Sequence, residues 1–197
     1  KLSKLMNISE KISLLNYERY IRWSLPFNKN NAHPALLLFQ GDVYKGISAD
    51  DFKKEDFLFA QNSLRILSGL YGILKPLDLI QPYRLEMGTQ IKIGKHNDLY
   101  DFWGEEITQA INKDKNSDYL INLASVEYFK SIKKDKFKAK LINIIFKEKR
   151  NGNYKIIGIN AKKARGLMSR YIIKNKINNP EDLKKFKEEN YIYNKNL

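Results

Sequence analysis

Tyr83, Arg84 and Glu86 follow directly on Pro82, and their types and spacing suit the anchoring of a polar substrate. Proline biases the residue before it toward extended backbone, and residues two apart share one side of an extended segment. Arg84 and Glu86 can therefore face a single cleft. Opposite charges at that spacing hold each other in place and keep the carboxylate ionised. Glu86 can then serve as an anchor, or as a general base once substrate displaces the arginine. An ion pair that ties this segment to a neighbouring helix fits the same residues equally well.

A second group comes from the ends of apolar runs. Asp42 and Tyr44 stand just past the run 35–39, where α/β proteins often open a ligand crevice. A plain turn would place them there too. Asn122 interrupts the run 119–124, and Ser125 and Glu127 open a short helix, whose N-terminus favours anions. Gathered with Lys163, these residues describe an enzyme for a small phosphate- or nucleobase-bearing substrate. Its catalytic candidates are Asp42, Arg84, Glu86 and Glu127, with Tyr44, Tyr83, Asn122 and Ser125 lining the pocket.

A third group is cationic. Net charge is +14, and residues 129–176 hold 16 Lys or Arg against Asp135 and Glu148, so the whole excess lies in one quarter of the chain. A phosphate-rich partner is the usual reason for such a concentration; a solvated lysine-rich surface is the alternative. The last long helix is predicted over 161–176, with Ala164, Leu167, Met168, Tyr171 and Ile172 on its core face. Lys162, Lys163, Arg165 and Arg170 point elsewhere, around Gly166 and Ser169. A notch of small residues ringed by cations would admit a phosphate group, and Lys130 adds to the set. Few Asn or Gln are interspersed, so a nucleic-acid partner would be held through its phosphates, with little base readout and largely independent of sequence.

The elements that must position these groups read as an α/β (α+β) fold: one domain over 1–197, a mixed β-sheet with helices packed on it. Ser9 caps an amphipathic helix over 10–23, and runs 35–39 and 119–124 read as buried strands. Ser48, Ala49, Asp50 and Asp51 form a capping box ahead of a helix over 55–67, which Gly69 stops. Asn97 caps a helix carrying Leu99, Phe102, Trp103 and Ile111. Asn151-Gly152 is the strongest hairpin signal, between strands in 141–147 and 154–160. Asn179, Pro180 and Glu181 open a final helix, and 191–193 reads as an edge strand. The stretch 66–88 is apolar yet punctuated by Gly69, Gly72, Pro76, Pro82 and Gly88, so it turns repeatedly while buried. Within it, Gly69 and Gly72 have the Gly-x-x-Gly spacing of a helix-hairpin-helix turn, whose N–H groups approach a DNA phosphate, although Pro76 comes early for a second helix.

The chain has no cysteine, which excludes disulfides and thiolate metal sites and permits a reducing cytoplasm. His33 and His96 lie far apart in loops, and no carboxylates are paired at a ligating spacing. No metal and no cofactor are expected. No apolar run approaches the roughly 20 residues of a membrane span, and no signal-peptide pattern opens the chain. An amphipathic pattern is already under way at Lys1, which predicts that N-terminal residues are missing.

Several long motifs carry a resemblance. They are Phe-Gln-Gly-Asp-Val-Tyr at 39–44, the stretch 67–88, Leu-Tyr-Asp-Phe-Trp-Gly at 99–104, Asn-Leu-Ala-Ser at 122–125, Glu-Tyr-Phe-Lys at 127–130 and Ala-Lys-Lys-Ala-Arg-Gly-Leu-Met-Ser-Arg at 161–170. Together they closely resemble the YaaA family of bacterial peroxide stress proteins over nearly the whole chain. The family's opening strand and its Ser-Pro-Ala-Lys segment are absent here. The resemblance implies a cytoplasmic protein that limits peroxide damage, with DNA protection and lowered free iron as associated roles. It also implies a helix-hairpin-helix element and a basic DNA-binding cleft, and it brings no settled catalytic reaction. With so few iron ligands in the chain, the link to iron reads as indirect. The leading expectation is a stress protein that binds DNA through a basic cleft. The enzyme above is the alternative, and a basic domain docking on another protein is the third reading.

Overall fold

The structure is a computed structural model that describes residues 2–114 and 118–196. In chain order its elements are α1 (Leu2–Met6), α2 (Glu10–Arg22), β1 (His33–Pro34), α3 (Ala35–Leu38), α4 (Asp42–Ile47), α5 (Lys54–Ser63), β2 (Ile66–Ser68), β3 (Gly72–Leu74), β4 (Leu79–Ile80), α6 (Leu99–Trp103), α7 (Glu106–Lys113), β5 (Tyr119–Asn122), α8 (Val126–Phe129), β6 (Lys140–Asn143), β7 (Glu148–Arg150), β8 (Asn153–Lys155) and α9 (Gly158–Lys174). The class is α/β, as the sequence indicates. Among the described residues the strands form two-stranded sheets: β1 with β4, β2 with β3 and β7 with β8 antiparallel, and β5 with β6 parallel. Two compact units share the chain, each assembled from separate stretches.

The first unit takes in the described residues of Lys1–Leu38, Leu64–Asn116 and Ala124–Lys138. Ser9 caps α2 as expected, its hydroxyl accepting from the Ile12 N–H. The apolar run at 35–39 is not a strand: its first four residues form the single turn α3. Ala and Leu are strong helix formers, and a short apolar run has no periodicity to tell strand from helix. The Ala35 and Leu36 N–H groups bond the carbonyls of Asp78 and Pro76 at 2.9 and 3.0 Å. His33, expected in a loop, lies in β1 opposite Ile80. The helix expected over 55–67 ends at Ser63, and Ile66, Leu67 and Ser68 pair with β3. Gly69 therefore sits in the turn of a β-hairpin rather than behind a helix. Gly72 closes that turn at φ +70°, and the chain runs on through β3, β4 and a stretch without regular structure, with no helix before α6. Asp98, not Asn97, caps α6: its Oδ1 accepts from the Asp101 N–H at 2.8 Å, and the Asn97 N–H donates back to Asp101 at 3.0 Å.

The second unit takes in the described residues of Phe39–Ser63, Ser117–Leu123 and Ala139–Leu197. Its core gathers Phe146, Ala161, Ala164, Met168, Leu183 and Phe186, with Leu167, Tyr171 and Ile172 against them. The core face of α9 is thus the one its periodicity predicts, and the helix starts three residues earlier, at Gly158. Helix α4 crosses α9 where both carry glycine. A Cβ on Gly166 would lie 2.0 Å from the Val43 carbonyl oxygen, and one on Gly46 would lie 2.4 Å from that of Lys163. Ser48 makes no capping box. It ends α4 in the left-handed region at φ 46°, and its side chain caps nothing. Asn151-Gly152 does form a two-residue hairpin turn, with φ of 49° and 81°, but it joins β7 and β8 rather than strands in 141–147 and 154–160: β6 pairs with β5 instead, and α9 has begun by Gly158. The closing helix is the 3-10 segment Pro180–Lys185, capped by Asn179. Residues 191–193 form no strand; Tyr191 instead packs its ring against Phe146 at 5.2 Å.

Candidate functional site

In the first unit the segment after Pro82 has no regular secondary structure, and Arg84 Nη2 donates to Glu86 Oε1 at 2.5 Å. Both side chains are about half exposed, at 41% and 49%. The pairing read from their spacing is present. The Arg84 carbonyl accepts from the Tyr20 hydroxyl at 2.5 Å, which pins the backbone beneath the pair. The Tyr83 hydroxyl and the Ser68 hydroxyl share a 2.5 Å hydrogen bond, and burial pushes the Tyr83 pKa up. Tyr83 supports the turn, because Ser68 Oγ also accepts from the Tyr71 N–H at 2.8 Å. Arg84 Nε is buried without a hydrogen-bond partner among the described residues.

Helix α8 brings Glu127 to the end of the same stretch. Ser125 caps it as expected, accepting from the Tyr128 N–H. Glu127 Oε1 accepts from the Gly88 N–H at 2.9 Å, and its carbonyl accepts from the Tyr100 hydroxyl at 3.0 Å. Lys130 places its ammonium 4.6 Å from the centroid of the Tyr100 ring, a cation–π contact. Tyr128, which sequence reasoning did not single out, joins these groups. Burial pushes its pKa up to about 12, the charges of Glu127 and then Glu86 push the same way, and the Met87 backbone and Arg84 oppose them. A phenol so placed stays protonated at neutral pH and can donate a hydrogen bond. The motif at 127–130 contained it, but its charged neighbours carried the only visible signal. Gly69 and Gly72 serve packing: a Cβ on Gly69 would lie 2.4 Å from the Leu85 carbonyl oxygen, and one on Gly72 would lie 2.8 Å from the Trp103 ring. Trp103 Nε1 also donates to the Gly69 carbonyl at 3.0 Å.

The second unit holds the rest. Asp42 opens α4, 3.9 Å from the Lys45 ammonium, and Tyr44 stacks on Phe39 with ring centroids 5.2 Å apart. Asn122 Nδ2 donates to Asn143 Oδ1 at 2.9 Å between the parallel strands. The residues of the expected pocket are thus divided: Tyr83, Arg84, Glu86, Ser125 and Glu127 in the first unit, Asp42, Tyr44, Asn122 and Lys163 in the second. Lys163 pairs with Glu189 at 2.8 Å. Arg170 forks onto both Asp51 oxygens, at 2.8 and 2.5 Å, and donates to the carbonyls of Ile47 and Ser48 at the carboxyl end of α4. Asp56, almost buried, receives Lys174 and Lys176. Gly166 and Ser169 are buried, and the backbone of α4 occupies the space beside Gly166 where a phosphate was expected. Lys162 is exposed. Arg165 is partly buried, which lowers its pKa.

Among the described residues no three His, Asp or Glu side chains are arranged to hold a metal ion, and no helix is long and apolar enough to cross a membrane. The sequence profile of the family described as peroxide stress protein YaaA matches residues 1–197. A UPF0246 protein of Acaryochloris marina is 57% identical over 197 residues, spanning all of this chain and 78% of the relative. One from Saccharophagus degradans is 56% identical over 197 residues, spanning 98% and 77%. One from Teredinibacter turnerae is 56% identical over 196 residues, with the same coverage. Identity at that level along the whole chain, together with the full-length profile match, shows that the chain belongs to the peroxide stress protein YaaA family.

Proposed function

We propose that the protein serves the peroxide stress response in the cytoplasm by binding DNA through its phosphates, shielding it, and that any effect on free iron is indirect. Family membership supports the stress role. The observation that carries the DNA part is a division among the cations of 129–176. Lys136, Arg150, Lys163, Arg170, Lys174 and Lys176 are held by carboxylates. Lys130, Lys133, Lys134, Lys138 and Lys140, then Lys147, Lys149, Lys155, Lys162 and Arg165, make no ion pair among the described residues. A cation without a carboxylate keeps its charge for a phosphate and releases counterions on contact. Lysine dominates the set, and its point charge suits backbone contact better than bidentate base readout. Anisotropy of a fluorescent duplex over a salt series tests this. The logarithm of affinity should fall linearly with the logarithm of salt, with a slope of about −0.9 per phosphate contacted; no binding at low salt would remove DNA as the partner.

A second reading rests on Arg84, whose buried Nε has no hydrogen-bond partner among the described residues, and which pairs with Glu86 and acts on the Tyr128 phenol. A small anionic substrate would complete its hydrogen bonds, and Glu86 would serve as general base once that substrate displaces Arg84 from it. Glu86→Gln keeps the shape and removes the charge. The pair is half exposed, so stability should change by less than about 1 kcal/mol. On this reading peroxide survival of cells carrying the variant collapses while DNA affinity holds; full survival would exclude it.

A further inference from the structure

We propose that the β7–β8 hairpin is a docking surface for unpaired nucleotides of DNA, with Tyr154 as the stacking platform and Lys149 as its phosphate contact. The proposal deepens the DNA-binding reading above and rests on it. The register pairs Glu148 with Lys155, Lys149 with Tyr154 and Arg150 with Asn153. Directly opposed residues lie on one face of an antiparallel pair, and successive residues alternate. Lys149 and Tyr154 therefore share one face, and Glu148 lies on the other.

The Glu148 face is tied down. Its carboxylate accepts from Asn160 Nδ2 at 2.7 Å, from the Tyr191 hydroxyl at 2.9 Å and from Arg150 Nη2 at 3.1 Å. The face carrying Lys149 and Tyr154 consequently points away from its own unit. Tyr154 is 45% exposed, and among the described residues neither it nor Lys149 makes a side-chain hydrogen bond, ion pair or ring contact. The two-residue Asn151-Gly152 turn fixes the register, so the ring stands on a short, well-defined ribbon. Lys149 stands opposite it, Lys147 precedes the same strand, Arg150 and Lys155 lie on the other face, and the single acid, Glu148, is already engaged. A cationic ribbon bearing an outward aromatic combines the two features that hold single strands: phosphate contact and sequence-tolerant base stacking. A closed duplex offers only the first, because its base faces are covered.

The test uses the full chain and two fluorescent probes, an all-thymine oligonucleotide and a duplex of equal length, at low salt. Tyr154→Ala should weaken single-strand affinity about tenfold, the usual effect of losing one stacked base, and leave duplex affinity nearly unchanged. Tyr154→Phe should restore it. Lys149→Ala should weaken both and reduce the salt slope by about one. Circular dichroism melts check that the variants fold. If Tyr154→Ala leaves single-strand affinity intact, or weakens both probes alike, the stacking role is overturned. If the wild type binds duplex and no hairpin variant alters either probe, the hairpin assignment fails while the DNA reading stands. If the wild type binds neither probe, both fail together.

Discussion

Arg170 and Lys162 are equivalent as charges on α9, yet their surroundings assign them opposite work. Arg170 satisfies the Ile47 and Ser48 carbonyls at the end of α4 and pairs with Asp51. A cation there bonds the terminal carbonyls of the helix and complements its dipole. Lys162 reaches solvent from the same helix. Arg170→Ala should therefore lower the melting temperature, because it strips partners from backbone carbonyls. Lys162→Ala should stay within about 0.5 kcal/mol of the wild type and instead weaken DNA binding in a salt-dependent way. Thermal melts and anisotropy on the two variants separate a fold-holding cation from a ligand-facing one; equal melting temperatures would mean that the Arg170 contacts do not hold α4.

At the scale of elements, the crossing of α4 and α9 depends on two missing side chains. Gly166 costs helix propensity, and alanine at an unconstrained helical site would gain about 1 kcal/mol. Here the added methyl would meet the Val43 carbonyl at 2.0 Å, and that obstacle is backbone rather than a flexible side-chain tip. Forcing the helices apart costs more than the propensity gain, so Gly166→Ala should destabilise the protein by about 2 kcal/mol. The urea midpoint of unfolding should fall at an unchanged slope. A midpoint that rises would show that nothing crowds Gly166. The hairpin of β2 and β3 follows the same logic, since Leu85 backbone and the Trp103 ring fill the spaces beside Gly69 and Gly72.

For the whole molecule, the paired charges set the pH range of stability. Lys176 first, then the Lys53 N–H and Lys174, hold Asp56 well below the usual carboxylate range. Arg170 lowers Asp51, Asn160 and Tyr191 lower Glu148, Lys136 lowers Glu105, and the Asn97 N–H lowers Asp101. A depressed carboxyl contributes stability that is complete above its unfolded pKa of about 4 and is lost as pH falls below that. Protonation also raises a net charge already at +14, which adds self-repulsion on the acid side. The phenols behave in the opposite sense. Burial lifts Tyr128 and Tyr191 to about 12, so their contribution is complete below about pH 10 and is lost as pH rises toward 12. Chemical denaturation across a pH series should give a plateau through neutrality, a decline below about pH 4 and another above about pH 10. A flat profile into acid would mean that the carboxylates are not paired as described.

What the sequence determined by itself is the chemistry that neighbours a few residues apart can complete. Ser9, Ser125 and Asn179 cap the segments they precede, Asn151-Gly152 turns a hairpin, and Arg84 pairs with Glu86 across one intervening residue. The core face of α9 and the concentration of charge in 129–176 were legible for the same reason, since periodicity and composition need no distant partner. Tertiary structure alone decided the rest. The run at 35–38 is a helical turn because Asp78 and Pro76 receive its N–H groups, and β2 is a strand because β3 pairs with it. Gly166 is packed rather than open because α4 arrives there, and Tyr128 matters because Glu86 and Arg84 return to it from another stretch of chain. A backbone bond or a field from a residue far along the chain leaves no periodic mark on the sequence, so only the folded arrangement could show which polar groups meet.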